Sequence, residues 1–255
     1  MIDVHFQKNA LAAQPFSFGF SKPSTITTQL QHRSVISYLI PSERVRELVP
    51  EEFHLGENTI LSIEAFQDSS LHRFEQINYR LQVNYRGEFR NWLLGTSIGS
   101  FSAITARNYF QNPWHLSAID LQVCTDAMSG RYHTYRLNSQ SEWSNSFFEI
   151  ADTGMAILNH QKVQTVDHFI RRDGTIGSQQ TAYLPANTTR GILKSGRCDM
   201  LKKLGILDEA EIAYPLSVSL LETVVRAPNG QVFRNDDGFV EIGRASCRER
   251  VSPRV

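Results

Sequence analysis

Three charged side chains stand where a strand would place them at a cost. Ile77, Tyr79, Leu81, Val83 and Tyr85 alternate with Gln76, Asn78, Arg80, Gln82 and Asn84, the period of a half-buried strand with one apolar and one wet outer face. The same parity puts Glu75 in the apolar row. A carboxylate there is desolvated, its pKa rises, and it becomes a candidate general acid or base. As the first residue of the strand, it can also remain solvated. Glu64 lies inside Ile63-Glu64-Ala65-Phe66, a position that disfavours glutamate unless it faces a functional pocket or an exposed sheet face. Arg33 leads into Ser34-Val35-Ile36, and its guanidinium could hold a carboxylate in a two-point contact or simply lie in solvent.

Other chemistry has little to stand on. The chain contains no Walker loop, no dinucleotide-binding GxGxxG and no HExxH. Its eight histidines form neither HxH nor i,i+4 pairs, so no metal site is expected, and no cofactor. The three cysteines, Cys124, Cys198 and Cys247, have no CxxC spacing and are odd in number, which argues against a disulfide framework.

The elements that must position these residues are mostly strands. The pattern predicts strands over residues 34–40, 58–68, 76–85, 91–98, 118–125, 131–138 and 144–150, with strand character over 166–172. Short helices are expected over 43–49, 102–110 and 198–204, and residues 173–187 are expected to be irregular. A hairpin is predicted from 217–226 to 231–233, turning at Pro228-Asn229-Gly230. Residues 1–30 are polar and weakly periodic, and are expected to form an N-terminal arm. One β domain would then span residues 31–240.

Residues 241–255 differ from the rest. Gly243-Arg244-Ala245-Ser246-Cys247-Arg248-Glu249-Arg250 is basic and has no hydrophobic period. It resembles the translation of a sequencing adapter, so it is expected to be a non-native tail, the alternative being a disordered basic one. With formal net charge zero and no run of like charge, the chain offers nothing to nucleic acid or to an anionic membrane. No signal peptide or apolar run of membrane length is visible, and a cytoplasmic location is expected.

A family resemblance adds to this reading. His32-Arg33-Ser34 through Val49-Pro50-Glu51-Glu52-Phe53, then Ser62-Ile63-Glu64-Ala65-Phe66, resembles the opening of acetoacetate decarboxylases. Glu75 falls where that family has a second glutamate, and the spacing on to Ala106-Arg107 and Asn112-Pro113 is similar. The likeness covers residues 30–125. Asn78-Tyr79-Arg80-Leu81-Gln82-Val83, Pro113-Trp114-His115 and Asp167-His168-Phe169 resemble a bacterial family assigned to the same superfamily more closely still. The resemblance implies a mainly β fold with a few short helices, an acetoacetate decarboxylase-like closed antiparallel β-barrel or double-sheet domain, and a possible homo-oligomer.

In the decarboxylases a Schiff-base lysine and a second lysine follow the proline that matches Pro113. Here those positions are Trp114 and His115, and neither side chain can form an iminium. Lysine-dependent decarboxylation is therefore not expected. Two readings remain. In one, Arg33 orients a small keto or carboxylic compound, Glu75 and Glu64 move protons, and His115 or Tyr85 assists. In the other, the cavity binds a small, anionic molecule without turnover, with Trp114 and Tyr85 among its walls.

Overall fold

The computed structural model describes residues 26–69, 73–101, 112–157, 163–171, 173–184, 186–206, 211–213 and 216–228. The expected helix over 102–110, the Asn229-Gly230 turn with the strand beyond it, the basic tail and most of the N-terminal arm lie outside them.

Among the described residues, thirteen strands make one continuous sheet. They are β1 (Ile26–Pro41), β2 (Asn58–Asp68), β3 (Phe74–Tyr85), β4 (Glu88–Ile98), β5 (Trp114–Leu116), β6 (Ala118–Thr125) and β7 (Tyr132–Gln140), followed by β8 (Ser146–Ile157), β9 (Val163–Ile170), β10 (Ile176–Tyr183), β11 (Thr188–Cys198), β12 (Glu211–Ile212) and β13 (Leu216–Pro228). A single short helix, α1 (Asp199–Lys203), follows β11 among the described residues. β1 begins inside the segment expected as an arm, because Ile26 to Gln31 pair with β13.

The sheet closes on itself. β1, β2, β3, β4, β9, β10 and β13 pair in that order, and β13 pairs back to β1. β11, β8, β7 and β6 continue from β13 as a second layer. The expected barrel and double layer are both present. They are not wholly antiparallel, since β4 runs parallel to both β5 and β9.

The alternation in β3 now has a different meaning. The row Ile77, Tyr79, Leu81 and Val83 faces outward from the barrel and is buried against the second layer, where Tyr135, Leu137, Phe148 and Ile150 belong to the same core. The row Gln76, Asn78 and Arg80 faces the barrel interior. Gln76 and Asn78 are buried, so this is not a wet outer surface. Two-sided burial forces the inner polar groups to satisfy one another.

Elsewhere, the expected helix after Pro41 is two 3-10 turns, Ser42–Arg44 and Arg46–Leu48. Val45 between them has non-helical backbone (φ −123°, ψ 0°) and is fully buried. The Arg46 guanidinium fastens the chain beyond these turns by donating to the carbonyls of Val49, Pro50 and Phe53. Residues 173–187, expected to be irregular, contain β10. Gly177, Gln179, Thr181 and Tyr183 pair there with β9, and Thr181, Ala182 and Tyr183 are buried.

Candidate functional site

The barrel interior holds a cavity of about 170 Å³. β2 and β3 supply Glu64, Asp68, Gln76, Asn78 and Arg80. Thr96 and Trp114 come from β4 and β5. β9 and β10 add Asp167, Thr181 and Tyr183, and β13 adds Arg226. A cavity of roughly 150 Å³ holds a benzene, so the space suits about six or seven heavy atoms.

Glu64 organises the polar wall. It is 1% exposed and accepts from Arg33 Nε at 2.7 Å, Tyr183 Oη at 3.0 Å, Asn78 Nδ2 at 2.9 Å and Arg80 Nη1. Burial opposes its charge, but Arg80, Arg33 and the Asn78 amide override that and hold the carboxyl well below the usual range. Asn78 is itself oriented, because its Oδ1 accepts from Gln76 Nε2 at 2.7 Å and Thr96 Oγ1 at 2.9 Å. Arg80 also donates to Asp167 Oδ2 at 3.0 Å, and Asn91 donates to the other oxygen of Asp167 at 2.9 Å. Asp68 accepts from Arg226 at 2.7 Å and from Thr28 at 2.7 Å. Burial, and next the Glu64 charge, push the Tyr183 phenol up to about 12.

A bulge turns Arg33 inward. The β1–β2 register shifts between Gln31 and Ser34, and His32 takes φ 52°, a left-handed conformation rare for a residue with a side chain. Tyr135 of the second layer grips both sides of the bulge, its hydroxyl within 2.8 Å of the His32 carbonyl and 2.9 Å of Ser34 Oγ. Arg33 then lies 4.5 Å over the Tyr183 ring and donates from Nη1 to Glu222 at 2.9 Å. Burial would lower the Arg33 pKa, but Glu64 and Glu222 raise it. Glu222 behaves in the opposite way to Glu64. Burial raises its pKa, Arg33 only partly offsets this, and Glu64 adds to the rise.

The residues anticipated from the sequence are therefore divided. Glu64 and Trp114 bound the cavity, and Arg33 acts on it through Glu64. Glu75 has the anticipated parity, which turns it outward, away from the cavity. It is half-buried at the start of β3 and accepts from Gln67 at 2.7 Å. His115 also faces away from Trp114, its ring stacked on Trp143 at 4.5 Å and 3°. Tyr85, at the far end of β3, stacks on Phe53 at 4.8 Å and lies 5.3 Å from His168. The geometry brings neither Glu75, His115 nor Tyr85 to Glu64.

Sequence reasoning missed Arg80, Asn78, Asp167, Asp68, Arg226 and Glu222 as site groups. For Asn78 and Arg80 the signal was a polar row on a strand whose other row is core. Gly95-Thr96-Ser97-Ile98-Gly99 also has the spacing of a hydrolase elbow. Ser97, however, is fully buried within β4 and paired to Ile77 and His115, not exposed on a strand-to-helix turn. No group of three or more metal-ligating side chains occurs among the described residues. No helix among them is long and apolar enough to cross a membrane.

Neither a scan against protein-family models nor a search of curated proteins gave a match. Solved structures did match. An acetoacetate decarboxylase from Legionella pneumophila aligns over 88% of this chain and 93% of its own, at 10% identity and TM-score 0.54. An acetoacetate decarboxylase-like enzyme from Sphingomonas wittichii aligns over 80% and 91%, at 9% identity and TM-score 0.55. The enduracididine biosynthesis enzyme MppR, complexed with pyruvate, aligns over 84% and 91%, at 10% identity and TM-score 0.54. At these identities the likeness is one of fold.

Proposed function

From an acetoacetate decarboxylase-like fold with a polar barrel interior, we propose that this chain binds a small molecule inside the barrel and does not form a Schiff base with it. One observation carries the reading: each carboxylate bounding the cavity is already committed to an arginine. Glu64 pairs with Arg33 and Arg80, Asp167 with Arg80, and Asp68 with Arg226. A general base needs a free lone pair near a neutral pKa, and Glu64 has neither. Such a wall is suited to positioning a ligand by hydrogen bonds, with Trp114 as an aromatic side.

The lysine exclusion supports the same reading. No lysine is among the described residues bounding the cavity, and Lys194 is exposed on β11. The position after Pro113 that carries the amine in the decarboxylases is Trp114, and Trp114 bounds the cavity.

Acid–base chemistry on a small keto or carboxylic compound is the second reading. Glu222 favours it, as a buried carboxyl with a raised pKa beside Arg33. Both readings are tested by a thermal-shift screen of compounds of up to about eight heavy atoms, run on wild type and Leu93→Trp, which fills cavity space. Saturable stabilisation lost in Leu93→Trp, with the compound recovered unchanged, supports binding. Recovery of a converted compound would establish the enzymatic reading. Absence of any hit in wild type would overturn both. Borohydride with a keto acid should leave the protein mass unchanged, and a trapped adduct would refute the lysine exclusion.

A further inference from the structure

We propose that Arg226 anchors the barrel's ligand, receiving a carboxylate side-on through Nε and Nη2, the role expected of Arg33. This rests on the small-molecule reading above and deepens it, by naming the anchor and the group it takes.

The three arginines of the barrel differ in what they can offer a ligand. Arg33 does not bound the cavity, and its Nε and Nη1 already donate to Glu64 and Glu222. Arg80 donates from both terminal nitrogens, to Glu64 and Asp167, and its Nε is buried out of a ligand's reach. Arg226 bounds the cavity, and its side chain is 19% exposed. Among the described residues its guanidinium is engaged at Nη1 alone, which donates to Asp68 Oδ2 at 2.7 Å. Neither Nε nor Nη2 is sealed from solvent. Their N–H groups lie side by side, a fork that matches the two oxygens of a carboxylate.

The barrel repeats one arrangement, and Arg226 shows it half complete. Arg33 bridges Glu64 and Glu222, and Arg80 bridges Glu64 and Asp167. This interior therefore twice holds a guanidinium between two carboxylates. Among the described residues Arg226 has one carboxylate, Asp68, on its Nη1 side. A ligand carboxylate on the other edge would complete a third bridge.

The anchor is also held in place. Asp68 is 1% exposed and accepts from Thr28 Oγ1 at 2.7 Å as well as from Arg226. The guanidinium lies 5.9 Å from the Phe66 ring centre. A cation fixed in this way loses little freedom when a ligand arrives. Thr181 stands opposite Arg226 in the β10–β13 pairing and also bounds the cavity, so its hydroxyl lies beside the same ligand group. Phe74, Trp114 and Phe169 bound the cavity too, and suit a small apolar body behind the carboxylate.

Isobutyrate, isobutyramide and methyl isopropyl ketone have nearly the same shape and fit a space of about 170 Å³, but only the first carries a carboxylate. Calorimetric or ligand-observed NMR titrations of the full chain at pH 7.5 should show saturable isobutyrate binding. It should be at least about tenfold tighter than binding of either neutral probe. Arg226→Lys keeps a cation beside Asp68 but removes the fork, and should weaken isobutyrate about tenfold or more. If Arg226→Lys does not fold, the side-chain Nε–H spectrum of wild type with isotope-labelled arginine takes its place. Isobutyrate should then move one Nε–H resonance along the same saturation curve as its binding.

A neutral probe that binds within about tenfold of isobutyrate would overturn the carboxylate assignment and leave the small-molecule reading intact. A loss smaller than about tenfold in folded Arg226→Lys would overturn the role of Arg226, as would an Nε–H spectrum that isobutyrate leaves unchanged. If none of the three probes saturates, both this inference and the small-molecule reading fall.

Discussion

Glu64 and Glu222 flank the same guanidinium, yet the same substitution should have unequal consequences at the two positions. Glu64→Gln leaves one oxygen where two received Arg33, Tyr183, Asn78 and Arg80, and turns an amide N–H2 towards other donors. It also leaves two buried arginines short of a counter-charge. Breaking a buried pair in this way costs about 3–5 kcal/mol, or a fall in Tm of roughly 6–20 °C for a chain of this size. Glu222→Gln removes a carboxylate whose charge burial already disfavours and leaves Arg33 its pair with Glu64, so it should cost less than Glu64→Gln.

The pH dependence separates them further. Glu64 has a depressed folded pKa, so its contribution is present above the ordinary carboxylate value of about 4.3 and is lost as pH falls through the folded value. Glu222 has a raised folded pKa, so its contribution is full below about 4.3 and is lost as pH rises through the folded value. Thermal and urea unfolding from pH 4 to 8 would measure both. Glu64→Gln should lower the whole curve and soften its acid limb, whereas Glu222→Gln should remove a decline above about pH 4.3. Equal losses of Tm in the two variants at pH 7.5 would refute the assignment of one fixed and one titrating carboxylate.

Three further outcomes are expected. Gly95→Ala would drive a Cβ into the Trp143 ring, so the indole must move off His115; a changed tryptophan emission and a Tm loss should appear together, with near-native secondary structure by circular dichroism. Tyr135→Phe frees the His32 carbonyl and Ser34 Oγ, and denaturant unfolding should show a loss of about 1–3 kcal/mol. His168 is packed near Phe53 and Tyr85, and burial, then Arg90, brings its pKa down to about 4. The unfolded chain therefore binds a proton that the folded one refuses between about pH 6.5 and 4, stability should fall with acid across that window, and His168→Phe should flatten that fall in a Tm-versus-pH series.

Much of the fold was legible because period-two alternation is strong wherever one face of a strand is core. β2 and β6 appear with the bounds the pattern predicts, and α1 lies within its expected helix. The site was less legible for the same reason. Alternation shows which residues share a face but not what covers that face, so Gln76, Asn78 and Arg80 looked like a solvated surface. β10 was hidden because Gln179, Gln180 and Thr181 carry no apolar signal, although Thr181 and Gln180 are buried. Glu75 illustrates the limit most clearly. Its parity was read correctly, and the apolar side turned out to be the outside of the barrel. Glu222 and Arg226 could be placed only by knowing that β13 closes against β1.

That closure bears on how the chain reaches its native state. β1 near the start pairs with β13, the last described strand, along Ile26 to Val35. Leu216 to Ser219 of β13 also holds β11 and so the second layer. During synthesis the barrel therefore has no way to shut until residues 216–228 have left the ribosome. Until then the charged inner wall and the apolar outer wall both lack their partners. Such long-range pairing makes folding slow. A chain cut short before β13 would present an open sheet edge along β1, which makes premature termination a more effective route to aggregation than to a smaller working domain.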